Sequence, residues 1–161
     1  MNKRLDVSLL KNPIHFFALG FGSGLAPKAP GTVGTLMAVP IYLAMSGLEL
    51  PWFIFIVVLI TIVGFYICDQ SSKLLGVHDH PGIVWDEFAG FLITMIAVPF
   101  DWLWLLLGFV LFRFFDIVKP WPIKPVDAKL KGGLGIMLDD VIAGIFAGIC
   151  LHLIIWWSVN A

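Results

Sequence analysis

Charge is what this sequence has least of. Its 161 residues hold ten Lys or Arg and eleven Asp or Glu, 13% in all, while 60% are hydrophobic. Soluble domains run at roughly 25% charged and about 45–50% apolar. That deficit, with a mean hydropathy of +0.97, argues against a soluble globular domain and for a polytopic membrane protein. The net charge of −1 leaves no basic footprint, so no nucleic-acid partner is expected. Cysteine is scarce too. Cys68 and Cys150 both fall inside apolar runs without metal-type spacing, which reads as buried free thiols. A Cys-x₅-Arg phosphatase loop is absent, because Leu74 stands where the arginine would follow Cys68 and no Arg follows Cys150. A glycine-rich segment is present but lacks the Lys-Ser/Thr ending of a nucleotide P-loop. Met1 to Asn12 carries charges without a signal-peptide core and cleavage site, so the first apolar run is expected to stay in the protein.

The apolar material falls into runs. Residues 13–35 come first, with Gly20, Gly22, Gly24, Gly31 and Gly34 among Pro13, Pro27 and Pro30. Glycine frees the backbone and proline breaks helices, so a loop or half-inserted segment is expected, anchored by Phe16, Phe17, Leu19 and Phe21. Five runs follow, at Val33–Leu48, Trp52–Cys68, Val84–Phe100, Trp102–Val118 and Asp140–Val159. Each is near the roughly 17–25 residues that span a bilayer. The expected fold is therefore all-α: a single domain over residues 1–161, a multi-pass helical bundle of about five membrane helices plus the Gly/Pro-rich segment. Glu49-Leu50-Pro51 and Phe100-Asp101 are short connectors, and Trp52, Trp102, Trp104, Trp156 and Trp157 sit at run ends on that side as an aromatic belt. The basic residues (Lys3, Arg4, Lys11, Lys28, Lys73, Arg113, Lys119, Lys124, Lys129 and Lys131) lie on or near the other side. The positive-inside bias makes that side cytoplasmic, with the N-terminus in and the C-terminus out.

The chemistry collects on the same side. Asp86-Glu87 opens the third run and Asp139-Asp140 the fifth; Asp69 ends the second, and Arg113, Asp116 and Lys119 close the fourth. Helix phase puts Asp86 with Gly90, and Asp140 with Gly144 and Gly148, each on one face. The Gly144-x₃-Gly148 seam lets two membrane helices approach closely and would carry Asp140 towards a neighbour. Adjacent acids diverge by about 100° on a helix, so one of each pair can reach a centre while the other serves a loop or a supporting role. Clustered carboxylates repel, and a hard divalent cation removes the conflict. Oxygen ligands without a Cys or tight His set favour Mg²⁺ or Mn²⁺ over Zn²⁺. Arg113, Lys119 and Lys28 supply cations for an anionic substrate, and the glycine-rich segment backbone N–H donors. These are parts for phosphoryl chemistry. Plainer readings stand beside each. An acidic pair at a helix start complements the macrodipole; Arg113 can be a snorkelling anchor paired with Asp116; Lys124, Lys129 and Lys131 read as a positive-inside loop; His78 and His80 read as loop hydrogen-bonders.

Four motifs carry a resemblance. Gly20-Phe-Gly-Ser-Gly-Leu-Ala-Pro27 with Ala29-Pro-Gly-Thr-Val-Gly-Thr35 is the first, and Gly76-Val-His-Asp-His80 leading to Val84-Trp-Asp-Glu-Phe-Ala-Gly90 is the second. Phe112-Arg-Phe-Phe-Asp-Ile-Val-Lys-Pro-Trp-Pro122 and Gly132-Gly-Leu-Gly-Ile-Met-Leu-Asp-Asp-Val-Ile-Ala-Gly144 are the others. In this order they resemble the phosphatidylglycerophosphatase A family over about residues 12–150. The resemblance implies a multi-pass enzyme of the bacterial inner membrane. It further implies Mg²⁺-dependent hydrolysis of phosphatidylglycerophosphate to phosphatidylglycerol and phosphate, the last step of phosphatidylglycerol synthesis. Motif position transfers Asp86, Glu87, Arg113, Asp116, Lys119, Asp139 and Asp140, with Thr32 as a weaker candidate. The roles expected here are Mg²⁺ ligation by Asp86, Glu87, Asp139 and Asp140, and phosphate binding by Arg113 and Lys119 with Thr32 and Lys28. Asp116 would orient Arg113 or join the metal shell, and one carboxylate, Glu87 for instance, would activate water. Attack by a carboxylate itself stays open. Two rivals belong to other classes: a small transporter or channel with a carboxylate-lined cation site, and a non-catalytic membrane subunit assembling through Gly144 and Gly148.

Overall fold

The computed structural model describes residues 5–123, 125 and 130–160. The described residues are helical, with no strand among them. The α-helices are α1 (Pro13–Ala18), α2 (Pro30–Met45), α3 (Leu50–Leu75), α4 (Trp85–Thr94), α5 (Trp102–Val118) and α6 (Gly132–Asn160), with 3₁₀ turns at Val7–Lys11 and Gly20–Leu25. Starts follow local chemistry. Asn12 accepts from the Ile14 N–H at 2.9 Å just ahead of Pro13, and Asp101 accepts from the Leu103 N–H at 2.7 Å. Both are N-cap bonds that satisfy donors a helix leaves orphaned. Lys3, Arg4, Lys124 and Lys129 lie outside the described residues.

Two helices, α3 and α6, are long and apolar enough to cross a membrane. Their outward faces stay apolar and exposed, as at Ile62 and Ile149, and Trp52, Trp102, Trp156 and Trp157 are exposed at one end of the bundle. The third run departs from expectation. Instead of a helix through Phe100, α4 stops at Thr94, about 15 Å long at 1.5 Å per residue. The Thr94 hydroxyl bonds both the Gly90 carbonyl (3.0 Å) and the Gly144 carbonyl (3.3 Å). Beyond it Ala97 takes a left-handed φ of 57°, and Val98 precedes Pro99, which disfavours helix. Nearly every α4 residue is buried, the pattern of a core helix. It packs against α6, α3, α2 and α5.

The fifth run departs in the other direction. It starts at Gly132 rather than Asp140, so Asp139 and Asp140 sit in the third turn of α6, not at its N-terminus. Asp69 in α3 accepts from the Gly133 N–H at 3.1 Å, and His78 accepts from the Gly132 N–H at 2.8 Å. A Cβ at Gly133 would collide with the Phe65 carbonyl of α3, so these glycines are there for close helix contact, not for a loop. Asp69 likewise lies inside α3 rather than at its end.

The glycine-rich segment folds inward. Leu19 is fully buried, and the Phe21 ring lies 6.0 Å from both Trp85 and Phe88. The Ala18 carbonyl accepts from the Val84 N–H at 2.9 Å. Of the four expected anchors, only Phe16 and Phe17 are exposed. The segment thus braces the start of α4.

Candidate active site

One backbone contact sets the geometry. A Cβ on Gly144 would overlap the Gly90 carbonyl, and one on Gly90 would lie 2.7 Å from the Asp140 carbonyl. α4 and α6 therefore cross backbone to backbone. Asp86 lies four residues before Gly90, and Asp140 four before Gly144, so each carboxylate rides one turn above that crossing. α5 brings its last turn alongside, with Arg113 and Asp116. It ends on Lys119 in a left-handed C-cap at φ 44°. The start of α2 closes the fourth side, where Gly31 has no room for a Cβ against Glu87 Oε1 and the Arg113 guanidinium.

The result is a cavity of about 380 Å³ lined by Gly31, Asp79, Asp86, Glu87, Arg113, Asp116, Lys119, Asp139 and Asp140 among others. The acids in it are deeply buried: Asp86 is 9% exposed, Glu87 8%, Asp139 6% and Asp140 3%. Six carboxylates thus line the cavity with two cations, Arg113 and Lys119, and the cations are committed. Arg113 Nη1 lies 2.5 Å from Asp116 Oδ2 and 3.8 Å from Glu87 Oε1, and donates to Thr35 Oγ1 at 3.4 Å. Lys119 Nζ lies 2.5 Å from Asp139 Oδ2.

Asp86, Glu87 and Asp140 are left facing one another, with one oxygen from each within 4.8 Å of the others. Asp86 Oδ1, Glu87 Oε2 and Asp140 Oδ2 are buried without a hydrogen-bond partner among the described residues. Burying unpaired charge is costly enough that such groups are normally paired or bound to a metal. An all-oxygen set of this size suits a hard divalent cation, so the residues fit the Mg²⁺ that the sequence led us to expect. A second orphan points elsewhere. Arg113 Nε is also buried and unpartnered, a donor left over for an anion.

The cavity gathers Asp86, Glu87, Arg113, Asp116, Lys119, Asp139 and Asp140. It does not gather Lys28, which is exposed, or Thr32, which is half-buried away from the lining. Thr35, which sequence reasoning did not single out, is fully buried behind the lining, where its hydroxyl donates to the Gly31 carbonyl at 2.9 Å and accepts from Arg113 at 3.4 Å. Its position four residues after Gly31 was the available signal. Asp79 was the other omission, masked by the two histidines beside it. Those histidines hold loops: His80 Nδ1 accepts from the Gly82 N–H at 3.0 Å, and His78 holds the α6 start. Asp69 is occupied by Lys73 at 2.6 Å and by Gly133. Because Asp139 and Asp140 are in mid-helix, the macrodipole does not explain them.

A family model described as Phosphatidylglycerophosphatase A matches residues 16–155. The chain belongs to the phosphatidylglycerophosphatase A family. It is 47% identical over 146 residues to the Escherichia coli (strain K12) protein named Phosphatidylglycerophosphatase A, covering 90% of this chain and 85% of that one. A Haemophilus influenzae protein of the same name is 48% identical over 163 residues, covering 98% of each. A Bacteroides thetaiotaomicron protein, provisionally named a phosphatidylinositol-3-phosphatase, is 39% identical over 146 residues, covering 85% of this chain and 90% of its own length. No solved structure matches.

The orphaned oxygens make a stability prediction. With divalent cations chelated, Asp140→Asn is expected to be more stable than wild type by about 1–3 kcal/mol, the usual cost of an unsatisfied buried polar group. Added Mg²⁺ should then stabilise wild type, by mass action, and not the variant. Thermal unfolding in detergent with EDTA and with excess Mg²⁺ measures both. A variant less stable than wild type in EDTA would mean that Asp140 is satisfied without a cation.

Proposed function

We propose that this chain is a Mg²⁺-dependent lipid phosphatase that hydrolyses the terminal phosphomonoester of phosphatidylglycerophosphate, releasing phosphatidylglycerol and phosphate. The phosphatase class, a phosphoric monoester hydrolase, follows from family membership. The observation that carries the mechanism is the division of labour in the cavity. Three carboxylates with unpartnered oxygens face one another beside an arginine with an unused donor.

Asp86, Glu87 and Asp140 would hold the cation. Asp139, paired with Lys119, sits next to that set and would support it. When bound, the cation supplies Lewis-acid stabilisation of charge on the phosphoryl oxygens. Arg113 grips the phosphate through Nε and its remaining N–H groups, in the forked geometry that suits phosphate oxygens. Asp116 and Thr35 fix the guanidinium plane, so the clamp is set before substrate arrives. Lys119 adds a point charge from the side of Asp139. Glu87 accepts the proton of the attacking water, and that proton passes to the leaving glycerol oxygen, which regenerates the carboxylate.

The membrane reading is of five passes, with the site at the cytoplasmic end of the bacterial inner membrane, the N-terminus in and the C-terminus out. Support comes from the alternating directions of α2 to α6 and from the absence of Lys or Arg in the connectors at Glu49 and Asp101. The turn after α4 leads the chain on towards that far end, where Met95, Ala97 and Pro99 line one cavity with Tyr42 and Leu50. A C-terminal reporter active only in the cytoplasm is expected to be silent; activity would reverse the orientation. The transporter reading is disfavoured because a cation path needs charge at several depths. The helices carry no Asp, Glu, Lys or Arg between the site and the far connectors.

The activity test uses purified protein in mixed micelles with phosphatidylglycerophosphate, and phosphate release as the readout. Asp86→Asn and Asp140→Asn are each expected to lose about 10²–10³-fold in kcat, the scale of losing transition-state charge stabilisation. EDTA should abolish turnover and Mg²⁺ restore it. Near-wild-type turnover in both variants, or turnover in EDTA, would contradict the proposal. Phosphatidylinositol 3-phosphate as a second substrate tests the headgroup.

A further inference from the structure

Directly beneath the acidic cavity lies a second one of different character. It measures about 300 Å³ and is lined by Leu36, Val39, Trp102, Leu105, Leu106 and Phe109, without a charged side chain. Both cavities take residues from α2 and α5. The upper one takes Gly31 from α2 and Arg113 from α5; the lower one takes the following turns of α2 and the preceding turns of α5. Thr35, bonded to Arg113, is the residue before Leu36. Phe109 lies one turn from Arg113, and its ring meets Phe91 of α4 at 6.2 Å, closing the back. α2 packs chiefly on α4 and α5 on α6, while α2 and α5 meet at Thr35 and Arg113 above the groove. The gap between them therefore opens sideways, and its rim residues Leu36 and Leu106 are each 60% exposed.

We propose that this groove holds one acyl chain of the phospholipid whose phosphate is hydrolysed above it, and so acts as a lateral entry path; the inference rests on the lipid-phosphatase reading. A phosphate on a lipid cannot reach Arg113 unless its tails leave the cavity through an apolar exit. The groove begins at the clamp itself. From Arg113 to Trp102 the helix rises about 16 Å at 1.5 Å per residue, about half of a roughly 30 Å hydrocarbon core. A chain lying there exchanges lipid contacts for protein contacts over its length. It also fixes where the phosphate stops, which converts tail binding into positioning at the reacting group.

The test compares dioleoyl with dihexanoyl phosphatidylglycerophosphate, using the purified full chain in mixed micelles. Leu36→Trp and Leu106→Trp fill the groove from exposed positions, and Ile62→Trp on the outward face of α3 is the control. The groove variants are expected to lose about tenfold or more in kcat/KM on the dioleoyl ester, the scale of a changed apolar pocket. On the dihexanoyl ester they should stay within about twofold of wild type, so transition-state stabilisation at the phosphate is intact. Equal losses on both esters, or no loss on either, overturn the groove. Wild type inactive on both esters overturns the lipid-phosphatase reading instead. A measurement on the unmodified protein stands beside it. Phosphatidic acid with a mid-chain diazirine is expected to label Leu36 and Leu106, with labelling competed by dioleoyl phosphatidylglycerophosphate. Equal labelling of Ile62, without competition, would overturn the inference.

Discussion

Everything at the site depends on two glycines that let α4 and α6 touch backbone to backbone. Gly90 and Gly144 leave no space for a side chain between the helices. The helices run in the same direction, so what lies one turn above each glycine is brought together: Asp86 with Glu87 on one side, Asp140 with Asp139 on the other. The Thr94 hydroxyl ties the same crossing one turn below. Close packing of this kind is how membrane helices associate when lipid is as apolar as they are. Here the same packing forces carboxylates into proximity that they would not choose.

The electrostatics follow from that forced proximity. Arg113 and Lys119 each take one acid, Asp116 and Asp139, at 2.5 Å. Asp86, Glu87 and Asp140 remain with buried oxygens unsatisfied among the described residues. A protein gains nothing in stability from such an arrangement, because buried charge without compensation is strongly destabilising. Strain of this kind is expected at a functional site. The apolar groove below the clamp extends the same logic to the substrate. Polar chemistry is confined to one end of the bundle, and the tail is led away along α2 and α5.

Much of this was legible in the sequence, and the limits have physical causes. Helix phase was enough to pair Asp86 with Gly90 and Asp140 with Gly144, because that relation is local. The five-run pattern gave an all-helical chain but misplaced two boundaries. α4 ends at Thr94, whose hydroxyl reaches across to the Gly144 carbonyl; Pro99 marks a break but not that it falls five residues earlier. α6 starts early although Gly132, Gly133 and Gly135 are poor helix formers by propensity, because Gly133 is held against α3 by Asp69 and Gly132 is held by His78. The bond from Arg113 to Thr35 was not legible, because depth in the bundle rather than residue type sets which threonine meets the guanidinium. The pairing of Lys119 with Asp139 depends on a left-handed backbone at the end of α5, which a lysine does not advertise.

The most direct test of the central claim, a cation held by three acids that the helix crossing assembles, is a crystal structure of the protein soaked in Mn²⁺, read by anomalous scattering. The account predicts a peak in contact with Asp86, Glu87 and Asp140, with Arg113 facing it. No peak among those three carboxylates under Mn²⁺ that supports turnover, or a peak held instead by His78 and His80, would contradict it.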